Sequence, residues 1–374
     1  MDIEKLIKEI TSNEDALAFT KSKGANIHEA RAVTEQTMHD VFYVPSAYEN
    51  SGIYIKIAKM GKNGPDKKEM EIEAAWYEAL RSRLNIPGVP EAKTFQLNED
   101  FALAVEEVQG LTYDHILKNL EKRGVNIKHS KELKKLMEKS AEITARGYAL
   151  RGEVPTYFGD FNKEELEFLN RRSSKILNGN GIQIEDLEKL LTATVTPLTD
   201  ERIWLLYRDA TPLNWIDTPK GVVPIDLGST SYRPPQFEAI ALFETPNSGF
   251  NSLSEEERIE LIFDYRRMLK DAGTTVERLG TMSDFFTNYC LASFVKNISG
   301  WASRKQHISD NLRDIEGDNQ SKADIAKERL PKNREGATFH RRRALEALRN
   351  IKVYLKTYNL TTEYLRTENI LNQD

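Results

Sequence analysis

The sequence predicts an α+β chain of two unequal parts, a small antiparallel-sheet lobe followed by a larger, mainly helical one. Three observations lead there. Short runs with a period of two, rich in β-branched and aromatic residues, cluster in the N-terminal third and recur in one later stretch. Helical periodicity dominates the remainder. The 374 residues also exceed one ordinary domain, which favours two structural units. The boundary is expected near 105/106, with 1–105 carrying a leading helix, a sheet and one further helix, and 106–374 forming the helical lobe.

Residues 1 to 24 read as an amphipathic helix or helical pair, with Ile3, Leu6, Ile7 and Ile10 on one face and Gly24 as the stop; packing is its expected role. The period then changes, and 31–34, 40–44 and 53–57 read as three strands. Glu49-Asn50-Ser51-Gly52 has the composition of a hairpin turn between the last two. Lys56 sits between Ile55 and Ile57, and an isolated strand lysine by default points to solvent. The helix expected over 69–80 has Ile72, Trp76 and Ala79 on one face, so Glu73 borders the buried stripe. Lys59, Glu69 and Glu71 read as solvated neighbours.

After the turn at 85–90, the apolar run 101–105 passes into Glu106, Glu107, Val108 and Gly110. On its own this is equally an ordinary strand ending in a charged turn or a connection between lobes. Residues 111–200 follow helical spacing, marked by Leu133, Leu136, Ala141 and Ile143, then by Leu166, Leu169 and Ile176, and after Gly179-Asn180-Gly181 by Ile184, Leu187, Leu190 and Leu191.

Two further strands, 203–206 and 222–225, each deliver an aspartate at the end, Asp209 and Asp226, with Asn214 between them. Magnesium takes hard oxygen ligands, usually one or two carboxylates plus substrate phosphates, and Asp226 with the Asn214 side-chain oxygen supplies the protein's share. Asp209 is then left to orient and deprotonate a hydroxyl. The plain alternative is a polar turn between core strands, where Asp and Asn are common. Helices are expected over 234–242, which includes Glu238, and over 255–268 and 285–301. The charge-rich segment 303–334 reads as a solvated helix or mobile flap. His340-Arg341-Arg342-Arg343, a basic run that reads as a solvated helix end, with a phosphate or acidic acceptor as its lesser alternative, is expected to open a last amphipathic helix with Ala344, Leu348, Ile351, Leu355 and Tyr358 on its face.

Composition narrows the classes. Hydrophobic residues at 39% and charged residues at 30% fit a globular chain with an adequate core. No apolar run approaches membrane-spanning length, and the N-terminal stretch lacks the uncharged core of a signal peptide, so a cytoplasmic protein without a membrane partner is expected. The single cysteine, Cys290, cannot form an internal disulfide, and the six histidines show no zinc-ligand spacing. A net charge of −5 gives no general footprint for nucleic acid. Nothing in the sequence sets an oligomeric state.

Tyr207-Arg208-Asp209, the four-residue gap to Asn214, and Asp226 resemble the catalytic and metal-binding segments of the aminoglycoside phosphotransferase and choline kinase superfamily, relatives of the protein kinases. The resemblance covers roughly 30–242 and implies a bilobal protein-kinase-like fold. It implies transfer of the ATP γ-phosphoryl group to a hydroxyl of a small-molecule acceptor, with Asp209 as catalytic base and Asn214 and Asp226 on Mg2+. Lys56 and Glu73 would form the pair that holds the phosphates, and adenine would meet backbone groups of Glu106 and Val108. Three departures stand out. The family usually has His-Gly-Asp where this chain has Tyr-Arg-Asp; the loop 35–39 has no glycine and offers only the Thr37 hydroxyl; and Glu238 stands where an Asp is usual. They keep open two alternatives, a nucleotide-sensing pseudokinase that binds a partner and a kinase of a protein or RNA acceptor.

Overall fold

The structure, a computed structural model, describes residues 1–33, 40–48, 51–58, 65–98, 100–157, 189–190, 192–194, 198, 205–207, 209–246, 250, 253–317 and 319–373. The loop 35–39 with Thr37, Lys59, the helix markers between 166 and 187, Leu191, and the first two residues of the strand expected at 203–206 lie outside the described residues. The chain forms two compact units, one from 1–125, 129–159 and 208–231, the other from 126–128, 160–207 and 232–374.

The first unit opens with a helical pair, α1 (Ile3–Ser12) and α2 (Glu14–Ser22). Asp2 and Asn13 cap them, each side chain accepting from a first-turn backbone N–H. A five-stranded antiparallel sheet follows, built from β1 (Arg31–Ala32), β2 (Asp40–Pro45), β3 (Gly52–Ala58), β4 (Ala92–Leu97) and β5 (Asp100–Glu106), in the order β1-β2-β3-β5-β4. The expected small antiparallel sheet is therefore present, two strands larger than the three read at its start. Strand β4 was not anticipated. Its alternating side chains, with Phe95 and Leu97 buried and Lys93 and Gln96 exposed, pair with β5 across a tight turn at Asn98. One face of the sheet, with Phe42, Val44, Ile53, Ile55 and Ile57, packs against Leu6, Ile10, Ala16 and Phe19 of the helical pair.

Beyond the sheet the unit contains α3 (Pro65–Glu78), α4 (Tyr113–Lys122) and α5 (Lys131–Gly147). The short strand β6 (Leu111–Thr112) precedes α4. In the second unit β7 (Leu205–Tyr207) leads towards Asp209. Back in the first, β8 (Trp215–Thr218) and β9 (Gly221–Pro224) form a hairpin that extends β6 in the order β6-β8-β9. Gly110 is obligatory at the entry to β6: its φ is +155°, and a Cβ there would lie 2.1 Å from the Asp217 carbonyl oxygen.

The second unit is helical over most of its described residues: α6 (Pro235–Phe243), α7 (Glu255–Asp271), α8 (Val276–Leu279), α9 (Met282–Glu316), α10 (Gln320–Thr357) and α11 (Thr361–Gln373). Helix α6 is buried on every side. Charge-rich 303–334 is helical except for a short break between α9 and α10 around Gly317. The basic run at 340–343 does not open a helix; it lies inside α10, which begins twenty residues earlier and continues through Pro331. Tertiary packing overrides the local signal: Gly336 lies against the Arg304 side chain, and Gly300 against the His340 ring, so two small residues let α9 and α10 approach closely. Arg343 is not a solvated helix end either. It is buried and pairs with Glu346 at 2.8 Å, while Glu346 also accepts from Arg258 at 2.7 Å. Tyr358 falls just past the end of α10 and is exposed rather than on its buried face.

A polar network crosses this helical core. Glu244, at the end of α6, accepts from Tyr289, from Ser293 at 2.8 Å and from Asn297 at 2.6 Å. With its amide nitrogen committed, Asn297 presents its oxygen to His340 Nδ1 at 2.8 Å, so that ring nitrogen carries the proton. Burial, with Arg304 and Lys296 nearby, lowers the His340 pKa to about 3. The unfolded chain therefore takes up a proton near the ordinary histidine pKa of about 6.5 that the folded chain refuses, and stability is lost as pH falls from about 6.5 towards 3. Denaturant unfolding between pH 7 and 5 should show the loss, and His340→Gln should flatten it by up to about 1.4 kcal/mol per pH unit. Equal slopes in the two proteins would refute the assignment.

Candidate functional site

Alternation along β3 decides where Lys56 goes. Ile53, Ile55 and Ile57 fill the face that packs on the helical pair, so Lys56 projects from the other face, and its backbone lies opposite Leu103 in β5. There it meets α3. Glu73 lies with Ile72, Trp76, Tyr77 and Leu80 among the buried residues of that segment and is only 3% exposed, whereas Glu71 faces solvent. Lys56 Nζ lies 2.9 and 2.8 Å from the two Glu73 carboxylate oxygens and 3.2 Å from Asp226 Oδ1. Its default reading as an outward lysine is thus overturned by two carboxylates from distant parts of the chain.

Asp226 arrives from the β8–β9 hairpin. Trp215 pairs with Pro224, and the next backbone bond, from Ile225 N–H to the Asn214 carbonyl at 2.9 Å, sets the two loop ends side by side. Asp226 itself adopts φ 57°, in the left-handed region, where a non-glycine residue costs on the order of 1 kcal/mol unless it is held. Its N–H donates to the Tyr77 hydroxyl at 3.1 Å. Two residues on, Gly228 approaches α3 so closely that a Cβ would lie 3.2 Å from the Glu69 carbonyl oxygen. The Asp226 side chain remains 59% exposed, free to meet a ligand beyond Lys56.

The other aspartate sits on a loop closed by its own hydrogen bonds. Asn214 Nδ2 donates to the Asp209 carbonyl at 2.9 Å, Asn214 N–H to Thr211 at 2.8 Å, and the Trp215 indole N–H to Ala210 at 3.2 Å. Among the described residues these bonds leave Asn214 Oδ1 as an unspent acceptor and hold Asp209 at an exposed position.

At the end of β5 the acidic side chains are tied into the sheet. Glu106 accepts from the Glu91 N–H at 3.2 Å and lies 3.7 Å from Lys23, and Glu107 accepts from the Tyr43 hydroxyl at 2.8 Å. Burial and that carboxylate push the Tyr43 phenol up to about 12. Among the described residues no group takes the Val108 N–H. A groove of about 660 Å3 borders the same segment, lined by Glu106 to Gln109 together with 85–90 and 218–220; Lys56, Glu73 and Asp226 do not line it.

Charge at the cluster is set by competition. Burial pushes the Lys56 pKa down, but the carboxylates of Glu73 and Asp226 outweigh it and hold the ammonium above its ordinary range. For Glu73, burial raises the carboxyl above its ordinary range and Lys56 offsets only part of that. Tyr77, buried beside both carboxylates, is held well above the ordinary phenol range and stays neutral. Tyr77 is the residue that sequence reading missed. A tyrosine one turn after Glu73 reads as core, and only its hydroxyl partner separates it from Trp76.

Asp226 and Asn214 offer one carboxylate and one amide oxygen, a hard donor set that suits a magnesium-like cation drawing its other ligands from phosphate and water. Among the described residues no three His, Cys, Asp or Glu side chains gather to hold a metal by themselves. Among the described residues, too, no helix is long and apolar enough to cross a membrane.

No protein-family model matches the chain, and comparison with curated proteins finds no match. Among solved structures the chain is similar to a spectinomycin phosphotransferase in complex with ADP and spectinomycin, at 14% identity and a TM-score of 0.42, over 86% of this chain and 93% of that one. It is also similar to an ethanolamine kinase of Plasmodium vivax, at 13% identity and a TM-score of 0.40, over 88% of this chain and 92% of that one. Similarity at this level leaves the functional reading to the chemistry of the site.

Proposed function

We propose that the chain is an ATP-dependent phosphotransferase of the aminoglycoside phosphotransferase and choline kinase type, acting on a hydroxyl of a small molecule. The observation that carries the reading is the meeting of Lys56, Glu73 and Asp226, from a strand, a helix and a loop, beside the Asp209–Asn214 loop. In this reading 1–105 and 106–374 are the two lobes. The Glu106 carbonyl and Val108 N–H receive adenine, which is consistent with a Val108 amide that has no other acceptor among the described residues.

Lys56, kept in place by Glu73, neutralises phosphate oxygens. Asp226 and Asn214 would hold a magnesium ion, which when bound would offset charge on the phosphoryl group. Asp209 orients the acceptor hydroxyl and takes its proton as the acceptor oxygen bonds to the γ-phosphorus and the bond from that phosphorus to the β–γ bridging oxygen breaks. Positioning by these residues supplies most of the acceleration. The tyrosine and arginine ahead of Asp209, where the family has histidine and glycine, would shape acceptor choice.

Two outcomes test the reading. Mg-ATP at about one hundred times its dissociation constant should stabilise the protein by about 2.7 kcal/mol, seen as a rise in the thermal midpoint; no shift at millimolar Mg-ATP would refute it.

The second outcome separates the two aspartates. Asp226→Asn should weaken Mg-dependent nucleotide binding in calorimetry. Asp209→Asn should leave that affinity within about twofold and slow transfer to an acceptor found in a panel of sugars, amino alcohols and nucleosides, by about 10² to 10⁴. Equal loss of affinity in both would overturn the division of roles. Tight Mg-ATP binding with no transfer to any small molecule or protein would favour the nucleotide-sensing alternative.

A further inference from the structure

Tyr77 lies four residues after Glu73 on α3, so the two side chains share a helix face. Its ring is 2% exposed. The hydroxyl accepts from the Asp226 N–H at 3.1 Å, and the phenol stands beside the Glu73 carboxylate, whose charge acts on it. Lys56 Nζ bonds to Glu73 and Asp226 as well, through the Glu73 oxygens and Asp226 Oδ1. Lys56 and Tyr77 therefore both bear on Glu73 and Asp226, Lys56 through the Asp226 side chain and Tyr77 through its main chain. A tyrosine that merely fills core needs one hydrogen-bond partner of any kind. This one takes the main chain of the left-handed residue that Lys56 also touches.

The two bonds at Asp226 would respond differently to a ligand. The bond between Lys56 and Asp226 joins two side chains that phosphate and cation would draw apart. The bond from Asp226 N–H to Tyr77 involves the main chain and competes with neither. We propose that Tyr77 is a positioning residue whose hydroxyl fixes the Asp226 main chain against α3, so that the Asp226 carboxylate is presented to a divalent cation once Lys56 turns to phosphate. The ligand in this proposal rests on the phosphotransferase reading; the hydrogen bonds rest on geometry alone.

Tyr77→Phe keeps the buried ring and removes the bond to the Asp226 N–H. ADP binding is measured by calorimetry with and without Mg2+, in the wild type, Tyr77→Phe and Asp226→Asn. In Tyr77→Phe the Mg-free affinity should stay within about twofold, which also reports an intact fold. The gain in affinity that Mg2+ brings should fall about 10- to 100-fold, the range seen when groups that orient a metal ligand are removed. A double variant with Asp226→Asn should lose little more of that gain than Asp226→Asn alone. A wild type that gains no ADP affinity from Mg2+ would remove the phosphotransferase reading and the proposal together. A gain equal in the wild type and Tyr77→Phe would overturn the Tyr77 role alone. Hydrogen exchange on the unsubstituted protein keeps the test open should the variant fail to fold: the Asp226 amide should be protected without any ligand, and exchange at the rate of a free loop amide would overturn the proposal.

Discussion

A lysine ammonium with little water around it constrains the first unit more than any other feature. Lys56 has three N–H donors, and three carboxylate oxygens lie 2.8, 2.9 and 3.2 Å from its nitrogen. A buried charge is tolerated only with such partners, and removing one partner of a buried pair typically costs about 3–5 kcal/mol. The requirement binds β3, α3 and the loop after β9 into one arrangement. Gly228 follows from it, because the loop that brings Asp226 to Lys56 must pass within contact of the α3 backbone. Packing on the far face of the sheet follows too: the isoleucines on either side of Lys56 can be buried only if a second layer covers them, and α1 and α2 are that layer.

Much of this arrangement was legible in the sequence because it is carried by periodicity. The alternation of 53–57 placed Lys56 opposite the isoleucines, and the stripe of Ile72, Trp76 and Ala79 distinguished Glu73 from Glu69 and Glu71. Period alone could not say that Lys56 would meet carboxylates rather than solvent on that face, since one of them, Asp226, lies 170 residues away. Strand β4 escaped because only Phe95 and Leu97 among its six residues are large and apolar; pairing with β5 makes it a strand. Tyr77 escaped for the opposite reason, its apolar ring hiding a polar task. In the helical unit the run of three arginines looked like a solvated end, yet Arg343 is buried, and the Glu346 it pairs with also takes Arg258 from 88 residues away, a meeting that no local pattern encodes.

Both units use buried carboxylates as joints, with different consequences. Glu244 is surrounded by the neutral donors Tyr289, Ser293 and Asn297, so its charge is spread into hydroxyl and amide dipoles that lock α6 to α9 and, through Asn297, reach His340 on α10. Glu73 instead faces a cation that has a second carboxylate within reach. A network of neutral donors fixes helices in one register. A lysine shared by two carboxylates has an alternative state close at hand, and that is the more useful property where a charged molecule is to be received.

The first unit is discontinuous, and this orders events on the ribosome. Glu73 leaves the exit tunnel 17 residues after Lys56, so their pair can close while the sheet is being made. Asp226 follows Lys56 by 170 residues, which at typical synthesis rates of about 5–20 residues per second is a wait of roughly 10 to 30 s. Much of the intervening chain, 160–207, belongs to the other unit. The nascent sheet therefore exists for a time with an under-partnered lysine, and the last segment of the unit to be synthesised completes its charge balance. Stalling or truncation between Glu73 and Asp226 would leave a polypeptide with most of its sheet core and an incomplete polar cluster, the kind of species that quality-control factors capture.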